Sequence, residues 1–308
     1  MMAACALPAN AQIHFVIPGG AGGGWDRTAR AVGQALIDTK LLQQVTYVNL
    51  SGGGGAKGIA HTIEQADPNI LLVNSTPIVV RSLQKFLPQT FRDLTPIASM
   101  IGDYSVVVVR QQSPHQNLDA LMQDLVTAPR RHPIAGGSVV GGTDHIFAAL
   151  LARSYGLDPQ QIKYIPYDAG GKAMAGLLSG EVALLSSGFG EVVDLAEQGW
   201  VRILCIAAPH PIPAAPDIPT CKTARAPGLE FVNWRGFFAA PSIATVRQQQ
   251  LTKMLEQLSQ TQAWSRVRAR YGWVALFKNE QEFANMLETQ AQTLSELLLE
   301  LGLITQQS

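Results

Sequence analysis

Short apolar runs alternate with segments of helical period along the chain. Ile13–Ile17 reads as a strand, and Trp25, Ala29, Val32 and Leu36 then recur at spacings of 4, 3 and 4, one face of a helix. Val45–Leu50 is the next strand, a helix follows through Ile59 and Ile63, and Asn69–Val73 is a third strand. Thr76 and Pro77 have the form of an N-cap with proline at the first helical position. Tyr104–Arg110 is a continuous β-branched run of the kind buried on both faces.

A second series starts near Gln112. Asn117 precedes a helix through Leu118, Leu121 and Leu125, and a strand ends in "HPIAGGS". Thr143 reads as the N-cap of a helix through Ile146, Phe147, Leu150 and Leu151. "IKYIPY" is a strand, Gly171–Ser179 a helix stopped by Gly180, and "EVALLSSG" another strand. Glu191–Gln198 is a helix ended by Gly199, and Val201–Ala207 a strand. Such β–α repeats predict an α/β fold with parallel sheets covered by helices. Ala208–Thr220 has five prolines in 13 residues and forms no regular element. "FVNWRGFFAAP" returns to strand character. Three helical patterns close the chain, the last marked by Phe283, Leu287, Leu294, Leu298 and Leu301.

The tail has no sheet of its own, so it is expected on the first series. That gives lobe 1 as residues 12–109 plus 233–308 and lobe 2 as residues 110–232. The crossings fall near Val109–Gln111 and Asn233–Gly236. Paired crossings leave a cleft and a hinge between lobes.

Hydrophobic residues make up 47% of the 308 and charged ones 15%, as in a well-cored globular protein. Lys+Arg and Asp+Glu balance at 23 each, so no basic field draws nucleic acid or an anionic membrane. Any anion preference must come from local geometry. Ala9-Asn10-Ala11 has the form of a signal-peptidase site, and residues 1–11 read as the remnant of an export signal. Cys5, Cys205 and Cys221 form no C-x-x-C pair. Cys205 reads first as a small core hydrophobe, a Cys205–Cys221 bridge being the other reading. The histidines His14, His61, His115, His132 and His210 are scattered, with no pair at metal-ligand spacing, and no metal or other cofactor is expected.

The candidate chemistry lies in glycine corners. "VIPGGAGGGWDRTAR" carries five glycines between Pro18 and Trp25, directly before a helix. Glycines admit a ligand to the backbone, and a helix start offers free N–H groups and the positive end of its dipole. "GGSVVGGTDH" repeats the design in the second series, so two corners facing one cleft would hold an anion from both sides. The first corner has no Lys-Ser/Thr and is no P-loop. "GGGAKG" (53–58) matches G-x-G-x-x-G, yet its next strand ends at Asn74, where a dinucleotide site needs an acid. Asp26 is a first-turn helix acid that either serves the dipole or fixes the loop and ligand. Arg27, Lys57, Lys172 and Arg235 read as solvated or ion-paired, with a place facing the cleft as the alternative for each, and Tyr167 and Trp234 as packing residues with ligand contact as the alternative.

These blocks, with "VNLSGGGGAKGIAH", "YIPYDAGGKAMAGLLSGEV", "PDIPT" and "NWRGFFAAP", together resemble the periplasmic substrate-binding proteins of tripartite tricarboxylate transporters, the Bug-type receptors. The resemblance covers nearly the whole chain. It implies a two-lobed, type II periplasmic-binding-protein-like fold that closes on a small di- or tricarboxylate in the periplasm, without catalysis. It also implies membrane transporter subunits as partners, action as a monomer, and a site residue set. Gly20, Ala21, Gly22, Gly23, Gly24, Ser138, Gly142 and Thr143 would hold one carboxylate. Asn74, Ser75, Thr76, Tyr167, Gly170, Gly171, Ser186 and Ser187 would line the rest, with Asp26 beside them. Two other classes stay open at this point. One is an ester hydrolase using Ser138, although "GGSVV" departs from G-x-S-x-G. The other is the effector domain of a transcription regulator.

Overall fold

Strand and helix alternate much as the apolar spacing requires. The computed structural model describes residues 12–85, 88–226 and 228–304, so the export-signal reading of residues 1–11 lies outside the described residues. The order is β1 (Gln12–Ile17), α1 (Gly24–Asp38), β2 (Gln44–Asn49), α2 (Ala56–Gln65), β3 (Ile70–Ser75), α3 (Thr76–Leu83) and β4 (Thr95–Arg110). Then come α4 (Leu118–Thr127), β5 (Ile134–Gly136), α5 (Thr143–Ser154), β6 (Tyr164–Pro166), α6 (Gly170–Ser179), β7 (Leu184–Gly188), α7 (Phe189–Glu197) and β8 (Val201–Ile206). The chain ends with β9 (Val232–Ala239), α8 (Thr245–Ser259), α9 (Gln262–Arg270), β10 (Val274–Lys278) and α10 (Glu280–Glu300).

The sheets are mixed, which corrects the expectation of purely parallel ones. β1 pairs in parallel with β2 and β3, and β5 with β6 and β7. β4 and β9 run against their neighbours. β4 is one 16-residue strand that serves two sheets. Up to Tyr104 it pairs with β9, and from Ser105 onward with β7 and β8. The chain thus changes sheets between Tyr104 and Ser105, and returns at Phe231–Val232, where the Ser105 N–H donates to the Phe231 carbonyl. Pro96, Ser99, Gly102 and Asp103 break the apolar run in sequence, which hid the first part of β4. β10 was also unread. It lies between two tail helices and pairs antiparallel with β4.

Helices cover both faces of each sheet, burying four apolar clusters. The α10 stripe of Phe283, Leu287, Leu294, Leu298 and Leu301 is buried against Trp234 and Phe238 of β9. The caps differ from expectation. Asn117 does cap α4, accepting the Ala120 N–H at 2.9 Å. Thr76 and Thr143, however, are the first helical residues, with Ser75 and Gly142 in the N-cap places. At α5 the hydroxyl that takes a first-turn amide comes from Ser138, which accepts the Asp144 N–H at 3.0 Å.

Cys205 and Cys221 form a disulfide, with Cα atoms 4.9 Å apart, which overturns the core-hydrophobe reading. The proline-rich loop folds back along β8, where Thr220 bridges Ile206 and the Cys221 N–H donates to the Ile206 carbonyl. Spacing alone does not reveal that return. The bridge closes a loop of separation 16. Its removal in Cys205→Ala/Cys221→Ala should cost about 3 kcal/mol in urea unfolding. An unchanged midpoint would mean that the loop is held without the bridge.

Candidate functional site

The first glycine corner is held from inside by Asp26. Gly22, at φ +80°, donates its N–H to Asp26 Oδ2 at 3.0 Å. Asp26 Oδ1 accepts from Arg30 Nε at 2.9 Å and Asn49 Nδ2 at 3.1 Å. The Asn49 amide also donates to the Gly19 carbonyl at 3.0 Å, tying the end of β2 to this loop. Directly after β2, Gly52, Gly53, Gly54 and Gly55 all have positive φ, a run that side chains would strain. Trp25 donates its indole N–H to Ser75 Oγ at 2.9 Å, fixing the start of α1 against the end of β3.

Opposite stand the starts of α5 and α6. Tyr164 OH donates to the Ser138 carbonyl at 2.7 Å and lies 3.2 Å from its hydroxyl. A Cβ on Gly137 would fall 2.4 Å from the Gly170 nitrogen, so these two corners touch through bare backbone. Contacts also cross the gap. A Cβ on Gly20 would lie 3.2 Å from that of Ala169, Ser51 hydrogen-bonds Asp168, and Arg27 pairs with Asp194 at 3.0 Å.

Between the corners is a cavity of about 190 Å³. Of the residues expected to bind, Gly20, Gly23, Gly24, Ser75, Ser138, Thr143, Tyr167 and Gly170 line it. Ala21, Gly22, Asp26, Asn74, Thr76, Gly142, Gly171 and Ser187 are not among the residues that line it. Asn74 accepts the Ser75 N–H, and the Ser186 hydroxyl donates to the Asp144 carbonyl. Sequence reasoning left out Ser51, Gly52–Gly55, Asp144 and Glu191 as lining residues. The second glycine run matches a dinucleotide fingerprint and a block of the family pattern in sequence, and its position after a strand is the signal for its place at the cavity.

The charged groups at the cavity are buried or half-buried and share partners. Arg235 Nη2 is 3.2 Å from both Asp103 Oδ2 and Glu191 Oε1. Its Nη1 reaches Thr28 Oγ1 at 3.3 Å. A Cβ on Gly24 would fall 2.0 Å from that guanidinium, so only glycine fits there. Asp103 also accepts the Gly190 N–H at 3.0 Å. Burial pushes its carboxyl up to about 6, and Arg235 opposes the rise. Asp144 is pushed up to about 7, first by burial and then by the charge of Glu191. Burial alone lowers His145 to about 4, and its Nδ1 accepts the Gly141 N–H at 2.9 Å. Thr143 Oγ1, Asn233 Oδ1 and Arg235 Nε are buried without a hydrogen-bond partner among the described residues.

The arrangement does not activate Ser138 as a nucleophile. Its hydroxyl meets Tyr164 and an α5 amide, while the imidazole of His145 is engaged elsewhere. Away from the cavity, His115, Asp124 and His132 bring donor atoms within 4.8 Å of one another, a grouping that the 17-residue spacing of the histidines concealed. His115 Nε2 there bonds Asp124 at 2.9 Å. No helix among the described residues is long and apolar enough to cross a membrane.

An α/β scaffold that lines one cavity with glycine corners and helix starts defines a solute-binding protein of the periplasmic binding-protein kind. The sequence profile of the tripartite tricarboxylate transporter family receptor matches residues 28–303, and the chain belongs to this family. Its members are receptors, not enzymes, which removes the hydrolase reading. The chain is 24% identical over 295 residues to a UPF0065 protein of Bordetella pertussis, covering 94% of this chain and 90% of that one. In fold it is similar to Rpa4515 of R. palustris with adipate (TM-score 0.85, 20% identity, 94% and 97% of the two chains). It is also similar to MatC from Rhodopseudomonas palustris with bound malate (TM-score 0.81, 21% identity, 93% and 98%).

The raised Asp144 carboxyl links stability to pH. Between the ordinary 3.8 and about 7, the folded chain holds a proton there that the unfolded chain has released. The stability due to this group is therefore full at acid pH and lost as pH rises through about 7. Denaturant titrations of wild type and Asp144→Asn should give a difference in unfolding free energy that falls between about pH 4 and pH 7. A difference independent of pH would contradict the assignment.

Proposed function

We propose that this chain is an extracytoplasmic receptor, in the periplasm, that binds a small di- or tricarboxylate in the cavity. It hands this ligand as a monomer to the membrane subunits of a tripartite tricarboxylate transporter. The observation that carries the reading is the Thr143 hydroxyl, 2% exposed and unpartnered among the described residues, beside the N-termini of α1, α5 and α6 at one cavity. Helix starts present N–H donors and positive dipole ends, which suit a carboxylate. A volume of about 190 Å³ suits a small acid better than a drug-sized ligand, for which sites run roughly 300–1,000 Å³. Malate and adipate, named with two fold neighbours, are acids of this size class.

Neutral donors carry the grip in this reading. Arg235 is committed to Asp103 and Glu191, so its charge is already offset. We divide the chain into two lobes at the sheet change near residues 104 and 231, five residues or fewer from the boundaries expected from sequence. The cleft then opens about these paired crossings and closes on the ligand.

Two experiments test the proposal. Calorimetric titration with malate, adipate and citrate should find a binder, and Thr143→Val should weaken it roughly 10- to 150-fold, the worth of a hydrogen bond to a charged group. Gly23→Val should also weaken it, because the added side chain meets Ala169 across the gap. Wild-type affinity in both variants would refute the corner grip. Small-angle scattering should give a smaller radius of gyration with bound carboxylate than without. Equal radii at saturation would argue against closure.

A further inference from the structure

The cavity holds too many carboxyls for an anion's site. Asp144, Glu191 and Asp168 line it, and Asp103 lies directly behind. Against buried Asp103 and half-buried Glu191 and Asp144 stands one buried guanidinium, Arg235. Asp144 and Glu191 also lie on touching backbone. The Asp144 carboxylate accepts the Gly137 N–H, and a Cβ on Gly170 would fall 1.9 Å from Glu191 Oε2. Gly137 and Gly170 are the two glycines whose backbones abut. A carboxylate entering this space would add negative charge to an excess of it already at the cavity. Isolated buried charge costs so much that the group neutralises instead.

We propose that the receptor takes up its carboxylate together with one proton, which Asp144 holds and donates to the ligand. The proposal rests on the carboxylate-receptor reading above. The solvent supplies the proton. The Asp144 carboxylate becomes a carboxylic acid, and its new O–H donates to a ligand oxygen, with no covalent change in the ligand. Every charged group packed near Asp144 bears on this step. Glu191 of α7 raises its proton affinity, and Arg235 of β9 lowers it. Gly137 N–H and the Ser138 hydroxyl favour its ionised form. Tyr164 of β6, itself pushed up by burial and by Asp144, stays neutral. Asp103, on the other side of Arg235, is itself raised by burial and held down by Arg235 and Arg27. Asp168 is paired with Lys172, four residues on, at 3.3 Å. The raised carboxyl of Asp144 puts it near half-protonation at neutral pH in the free protein, and a bound anion completes the uptake.

The sign separates this from the other way of offsetting acids. A ligand bearing an ammonium group would lower the proton affinity of Asp144 and release a proton on binding. The experiment is calorimetric titration of the full chain with malate, adipate, citrate and aspartate at pH 8, in two buffers of different ionisation enthalpy. The apparent enthalpy should differ between buffers by the amount that corresponds to uptake of about one proton. Affinity should fall close to tenfold per pH unit above about pH 7. Asp144→Asn, which carries the neutral form permanently, should reduce the uptake to near zero and flatten that dependence. The wild-type buffer comparison decides the matter even if this variant does not fold. A carboxylate bound with no uptake overturns the inference and leaves the receptor reading standing. Binding of aspartate alone, with proton release, also overturns it. No binding of any of the four at millimolar concentration overturns the receptor reading and the inference together.

Discussion

One guanidinium decides how the parts of this molecule meet. Arg235 on β9 reaches Asp103 on β4, Glu191 on α7 and Thr28 on α1, and is 2% exposed. Burying such ions is costly unless each has partners, so removing any one leaves an uncompensated charge. The consequences run outward. A Cβ on Gly24 would fall 2.0 Å from the guanidinium, so the bare glycine at the start of α1 leaves Arg235 its room. Asp103 also takes the Gly190 N–H and so fixes the first turn of α7. Asp103 lies beside the point where β4 leaves one sheet for the other, so the ion cluster sits at the crossing itself.

The same cluster shapes the chemistry of the cavity. Several helix starts suited to an anion are already approached by the chain's own acids. Asp26, Asp144 and Glu191 occupy first turns of α1, α5 and α7. Asp26 is spent on its own loop, while Asp144 and Glu191 reach the cavity. What remains for a ligand is a set of neutral donors and a carboxyl that gains a proton readily. Recognition by backbone and hydroxyl donors needs no net positive charge, in keeping with a chain that has none.

Much of the architecture was legible because burial imposes period. The helix stripes of α1 and α10 and the strands β1, β3 and β8 read directly from apolar spacing. Where that signal failed, a polar or proline residue served a tertiary purpose. Asp103 and Gly102 interrupt β4 because an ion pair and close packing are needed at the crossing. β10 was hidden as five residues between helices, its place set by pairing with β4. At the site, glycine corners announced themselves, but side chains arriving from distant strands did not. Glu191 and Arg235 are 44 residues apart and meet only in the fold. Thr143 was read both as a cap and as a ligand contact, whereas Ser138 takes the capping role and the Thr143 hydroxyl is left without a partner among the described residues.

The central claim is that backbone amides at the helix starts hold a ligand carboxylate. Amide chemical shifts of isotope-labelled protein, titrated with malate and adipate, test it directly. The account predicts the largest changes at Gly23, Gly24, Thr143, Asp144 and Gly170, saturating together with one dissociation constant. Saturable binding that left those five amides unmoved, with the changes gathered elsewhere on the surface, would contradict it.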